Sequence, residues 1–99
     1  RGQMRKLVIH PNRNGFFYVL DRTNGELLLA EPFVDRMTWA KGIGKDGRPI
    51  LIPGKEPTNS GTLVCPNVLG ATNWPSMAFD PQTKLFYLMT REDCGVYVK

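Results

Sequence analysis

The 99-residue sequence predicts an all-β fold assembled from short antiparallel strands. Three observations point there. A unit of apolar strand, polar turn and apolar strand occurs twice, around residues 21–25 (DRTNG) and again around 80–84 (DPQTK). Runs such as FFYVL and KLFYL are rich in the aromatic and β-branched side chains that suit a pleated surface. Eight prolines and ten glycines punctuate the chain, and between Glu31 and Asn73 they leave no room for a helix of more than two turns.

The elements follow in order. RKLVIH (5–10) is a short apolar run closed by Pro11 and reads as the first strand, with HPNRNG as its turn. Asn14-Gly15 can supply the positive φ angles of a tight hairpin into FFYVL. At DRTNG, Asp21 can accept backbone N–H groups ahead of it while Gly25 tolerates a left-handed conformation, and ELLLA returns as the partner strand. The pattern then loosens into a long irregular insertion. Inside it WAKGI and GRPILIP are the strand candidates, around a turn at 45–47 (KDG). Loops this long in a compact domain are usually functional or cover something. SMAFDPQTKLFYLMT makes the second hairpin, and GVYVK at the C-terminus opens one more strand.

Repeated antiparallel units of this kind suggest blades of a β-propeller or a related all-β array. The expected domain is a single partial one over residues 1–99, because the chain starts without Met and ends on an opening strand. A blade buries its faces against its neighbours, so one or two blades alone expose apolar faces and strand edges.

Charge argues against a nucleic-acid partner. Of 13 basic residues, Arg1, Arg5, Lys6 and Arg13 precede any acidic one, and the remaining nine balance nine acidic residues. No apolar run approaches the roughly 20 residues needed to span a bilayer. The two cysteines, Cys65 and Cys94, lack a CxxC spacing or a neighbouring His, which leaves a disulfide or two free thiols.

Few residues carry obvious chemistry. GIGKDG (42–47) matches a dinucleotide-binding glycine pattern in letters only, since RPILIP follows it and cannot open the helix whose N-terminus would hold a pyrophosphate. His10, the only histidine, has no partner at metal or nucleophile spacing and reads as a turn residue. Glu92-Asp93 are adjacent carboxylates that point to opposite sides of an extended chain, which suits a solvated surface pair better than acid–base work. Arg13, in a turn between two strands, is either a surface arginine or a side chain aimed at the axis of an array. Asn73-Trp74 places an amide and a large aromatic in one loop; turn capping and core packing are the plain readings, ligand contact the sharper one.

The stretches HPNRNGFFYVLDRTNGELLLAEPFV, TWAKGI, DGRPI and VCPNVLGATNWPSMAFDPQTKLFYL, in this order, resemble the quinoprotein alcohol dehydrogenases that use pyrroloquinoline quinone (PQQ), the methanol and ethanol dehydrogenase group. The resemblance covers nearly the whole chain. It implies antiparallel blades of an eight-bladed β-propeller, about two of them here, with PQQ and Ca²⁺ near the axis. It places Arg13 and Asn73 against the quinone and Trp74 beside them, and it pairs Cys65 with Cys94 in a disulfide, in keeping with a periplasmic enzyme.

The implied reaction is oxidation of a primary alcohol or sugar: Ca²⁺ polarises a quinone carbonyl, an aspartate takes the alcohol proton and hydride passes to the quinone. Electrons would leave to a cytochrome c or a membrane quinone, and the remaining propeller blades would pack on this segment. The resemblance puts the catalytic aspartate, the Ca²⁺ ligands and a vicinal Cys-Cys pair outside these residues, so the fragment itself is expected to be inactive. The alternative is a non-catalytic propeller repeat from a scaffold or outer-membrane assembly protein, which shares the D-x-x-[NT]-G turn. Arg13, the GATNW loop and the cysteine pair favour the enzyme.

Overall fold

A computed structural model describes residues 2–99, and among them there are strands and turns but no helix. The strands are β1 (Leu7–Pro11), β2 (Phe16–Asp21), β3 (Leu27–Pro32), β4 (Ala40–Ile43), β5 (Pro49–Leu51), β6 (Thr62–Val64), β7 (Ala78–Asp80), β8 (Leu85–Tyr87) and β9 (Gly95–Tyr97). All pairings between them are antiparallel: a three-stranded sheet β1-β2-β3 and the pairs β4-β5, β6-β9 and β7-β8. The all-β prediction holds.

Both predicted Asp turns form, and they are alike in detail. Asp21 Oδ1 accepts the Thr23 N–H at 2.8 Å, and Asp80 Oδ1 accepts the Gln82 N–H at 2.9 Å. Each turn ends on a left-handed residue at the same position, Gly25 with φ 77° and Lys84 with φ 59°. Lys84 is the only non-glycine at positive φ among the described residues, so the second turn demands a conformation that its sequence does not favour.

The β1–β2 turn is a tight hairpin, but only one of the two residues expected to supply positive φ angles does so. Asn12 N–H donates to Phe16 O at 2.9 Å and Gly15 N–H to Asn12 O at 3.1 Å, which makes a three-residue loop of Arg13, Asn14 and Gly15. Only Gly15 takes positive φ (97°), because Asn14 is engaged as an acceptor: its Oδ1 receives the Phe16 N–H at 2.9 Å. Arg13 therefore stands at the apex of the loop.

The β6 strand has no counterpart in the sequence reading. It is three residues long, and its partner β9 lies some thirty residues away, so neither length nor local pairing signals it. The GIGKDG stretch runs from β4 through a turn into β5, with Gly47 N–H bonded to Gly44 O at 2.9 Å, and opens no helix.

Burial is concentrated at one place. Phe16, Ala40, Cys65 and Ala71 are each no more than 3% exposed, and Trp39 meets Phe16 edge-on with ring centroids 6.0 Å apart. Trp39 Nε1 also donates to Asn14 O at 3.0 Å, which ties this centre to the β1–β2 loop. Elsewhere the sheets are open. Leu7, Val8 and Ile9 of β1, Leu28 and Leu29 of β3 and Phe79 of β7 are all exposed. The Cα radius of gyration, 15.4 Å, exceeds the roughly 13 Å of a compact domain of this length.

Candidate functional site

The site is built where the β1–β2 loop docks on the segment from Cys65 to Trp74. β6 and β9 bring that segment alongside residues 91–95, and contacts continue past the end of the ladder. The Cys65–Cys94 disulfide, with Cα atoms 4.3 Å apart, comes first. Asn67 N–H then donates to Asp93 O at 2.9 Å, and Arg91 N–H to Ala71 O at 2.6 Å. Thr38 braces the same segment from the other side: its N–H donates to Cys65 O at 3.1 Å and its hydroxyl accepts the Cys65 N–H at 2.8 Å.

Between Asn67 and Gly70 the chain folds into a turn closed by the Gly70 N–H on Asn67 O at 2.9 Å, with the Leu69 N–H on Asn67 Oδ1 at 3.0 Å. The turn presents two carbonyls outward. Arg13 donates through its guanidinium to Val68 O, and Asn73 donates through Nδ2 to Leu69 O at 2.8 Å. Residues 60 positions apart are thus held by adjacent peptide groups. The backbone of Arg13 is fixed too, since its carbonyl accepts the Ala71 N–H at 2.9 Å.

Trp74 follows Asn73 but is not a core residue, contrary to the plain reading of a large aromatic: it is 89% exposed. It walls a concavity of about 270 Å³ with Leu69, Thr72, Asn73, Met89 and Arg91. Arg13 faces a separate groove of about 530 Å³, shared with Trp39, Lys55, Asn67 and Tyr97. So the structure joins Arg13 and Asn73 through one turn, while the hollows beside them are distinct. The capping reading of Asn73 is correct as far as its Nδ2 bond to Leu69 O goes.

The donor set suits an anionic or carbonyl-rich ligand. Arg13 makes no ion pair among the described residues, and a guanidinium has further N–H donors beyond the one on Val68 O. Asn73 keeps one amide hydrogen and its Oδ1. Next to it Thr72, 3% exposed, has a buried hydroxyl without a hydrogen-bond partner among the described residues. Outside this region Arg5 bridges Glu26 at 2.6 Å and Asp21 at 3.2 Å. His10 Nε2 and Asn12 Nδ2 lie 3.1 Å apart within their turn.

Glu92 and Asp93 both lie exposed at the surface, as the reading of a solvated pair expects, but Glu92 has a further role. Its two oxygens accept the N–H groups of Asp35 at 2.9 Å and Arg36 at 3.4 Å, which pins the segment after β3 to the disulfide segment. Like Thr38 and Gly70, it is invisible as a site residue in the sequence, because its partners are main-chain groups far away in the chain.

No family model matches the chain. The chain is 48% identical over 98 residues to the quinoprotein alcohol dehydrogenase PedH of Pseudomonas putida, a match that covers 92% of this chain and 16% of that protein. Its fold superposes on the europium-containing methanol dehydrogenase with a TM-score of 0.79 at 45% identity, covering 90% of this chain and 16% of the other. The quinohemoprotein alcohol dehydrogenase of Comamonas testosteroni gives 0.80 at 45% identity, over 88% and 13%. The chain belongs to the quinoprotein alcohol dehydrogenase family. It spans about one sixth of the length of the relatives it matches. Its four antiparallel sheets are a part of the propeller those quinoproteins form, and the exposed faces of β1, β3 and β7 are apolar in the manner of propeller strands. The disulfide of this quinoprotein segment joins Cys65 to Cys94, the pair the resemblance implies.

Proposed function

We propose that this chain is a partial propeller domain, residues 1–99, of a PQQ-dependent alcohol dehydrogenase that oxidises a primary alcohol or sugar, and that Arg13 and Asn73 are among its cofactor contacts. The observation that carries this is the pairing of an ion-pair-free guanidinium and a partly free amide on adjacent carbonyls of one rigid turn. When bound, PQQ supplies a two-electron oxidant with carbonyl and carboxylate oxygens. Arg13 would hold such oxygens through a permanent charge and a planar fork of donors, and so favour negative charge that builds up there. Asn73 would add a neutral donor and orient the ligand. Trp74, with a bare face at the rim, would cover the cofactor or narrow the alcohol cavity.

Among the described residues no three His, Cys, Asp or Glu side chains gather as metal ligands. The metal implied by the resemblance, Ca²⁺, is assigned to other parts of the whole enzyme, and a lanthanide is its rival there because one of the similar structures is europium-containing. Reducing equivalents would pass to a cytochrome c or a membrane quinone; the quinohemoprotein relative favours a haem acceptor. The disulfide supports an oxidising compartment, hence the periplasm.

The test is Arg13→Ala in the full-length enzyme, assayed with an artificial electron acceptor. Loss of one donor of this kind lowers turnover about 10²–10³-fold in enzymes where a charge-stabilising donor has been removed. Unchanged turnover in a folded variant would overturn the assignment of Arg13.

A further inference from the structure

Gly70 sits against Arg13 more closely than any other residue type could. A Cβ at Gly70 would lie 2.5 Å from Arg13 Cβ, 2.8 Å from Arg13 O and 3.0 Å from Arg13 Cα. Two of these three atoms are main chain and the third, Cβ, is bonded to it, so rotamer changes cannot relieve the overlap. Gly70 also has φ 83°, the left-handed region, and is buried. Two other residues of this segment hold Arg13 as well: Ala71 N–H donates to Arg13 O at 2.9 Å, and Val68 O accepts from the Arg13 guanidinium.

We infer that Gly70 is a positioning residue for the cofactor site: its missing side chain lets the 67–73 turn close on the Arg13 backbone, and this contact sets the direction of the guanidinium. The inference rests on the proposed function, because it assigns the consequence to PQQ binding. A Cβ at position 70 pushes the β1–β2 loop off the turn, breaks the Ala71–Arg13 bond and moves the guanidinium away from Val68 O. Asn73, bonded to the carbonyl of Leu69 next to Gly70, moves with the turn.

Other glycines separate contact from backbone strain. Gly47 has φ 79° but nothing within 4 Å of an added Cβ, so Gly47→Ala imposes the same left-handed strain without a collision. Asn67→Ala removes only the side-chain bond to Leu69 N–H and softens the turn without adding any atom, which provides a mild variant where Gly70→Ala does not fold.

The experiment titrates PQQ into the full-length enzyme prepared without quinone in calcium buffer, and follows hydrogen exchange of the Ala71 amide in the same samples. Gly70→Ala should raise the PQQ dissociation constant at least about tenfold, the loss of one charge-assisted hydrogen bond, and deprotect the Ala71 amide. Asn67→Ala should do the same more weakly, and Gly47→Ala should leave both unchanged. In an Arg13→Ala background, Gly70→Ala should cost much less affinity, because the group it acts through is gone. Wild-type affinity in folded Gly70→Ala, equal losses at positions 47 and 70, or full additivity with Arg13→Ala would each overturn the inference. If the wild-type enzyme takes up no PQQ, the functional reading itself falls, a result distinct from all of these.

Discussion

The carbonyl of Arg13 accepts the N–H of Ala71 at 2.9 Å, and this bond joins the β1–β2 loop to a segment that the disulfide holds in place. The order of support runs from Cys94 through Cys65 and the 67–70 turn to Arg13. The position of Arg13 at the loop apex is therefore only as well defined as a covalent link that begins at Cys65, 52 residues further along the chain.

That dependence can be measured. The Cys65–Cys94 bond closes a loop with a sequence separation of 29 residues. Constraint of the unfolded chain by a ring of this size is worth on the order of 3–4 kcal/mol, so Cys65→Ser with Cys94→Ser should lower the stability of the whole enzyme by about that amount in denaturant titration. Mass spectrometry of a non-reduced digest should show the two peptides linked. Two free thiols in the oxidised enzyme would refute the bridge and the periplasmic reading together.

The two Asp turns make opposite predictions at one position. Lys84 occupies the left-handed conformation that Gly25 takes in the first turn. Lys84→Gly should stabilise by about 1 kcal/mol, the cost of that conformation for an ordinary residue, less the entropy that glycine adds to the unfolded chain. Gly25→Ala should destabilise by a similar amount, since nothing crowds the site and only the strain remains. Thermal unfolding of both variants checks the pair; a destabilised Lys84→Gly would count against the likeness of the turns.

Acid should loosen these turns. Hydrogen bonds from the Thr23 hydroxyl and N–H, aided by Arg5, hold the Asp21 carboxyl below its ordinary 3.8. The Gln82 N–H and the Thr83 hydroxyl do the same for Asp80. A carboxylate with a depressed pKa adds stability that is fully present above its unfolded value and is lost as pH falls through the folded one. Stability should thus be flat above about pH 5 and fall below pH 4. Asp21→Asn should flatten part of that fall, seen as a smaller difference in Tm between pH 5 and pH 3.

Trp74 separates function from folding. At 89% exposure its removal leaves no cavity, so Trp74→Ala should change stability by no more than about 0.5 kcal/mol. In the proposed enzyme the same substitution should alter KM for the alcohol or the affinity for PQQ. A large loss of stability would show that other parts of the protein bury the ring, and unchanged kinetics would remove Trp74 from the site.

Much of this was legible in the sequence because it is local. DRTNG and DPQTK form the turns that their Asp residues dictate, and FFYVL and LFY become strands where aromatic and β-branched side chains cluster. Arg13 and Asn73 could be named as candidates from the stretches that carry the family resemblance, and Cys65 with Cys94 likewise. Tertiary structure alone decided how they meet. The fit of Gly70 on the Arg13 backbone, the adjacent carbonyls of Val68 and Leu69, the exposure of Trp74 and the hold of Glu92 on Asp35 and Arg36 all join residues distant in the chain. The reason is physical: turns and strands follow from side chains a few positions apart, whereas a site held by main-chain N–H and C=O groups leaves no mark in the sequence, since every residue carries those groups.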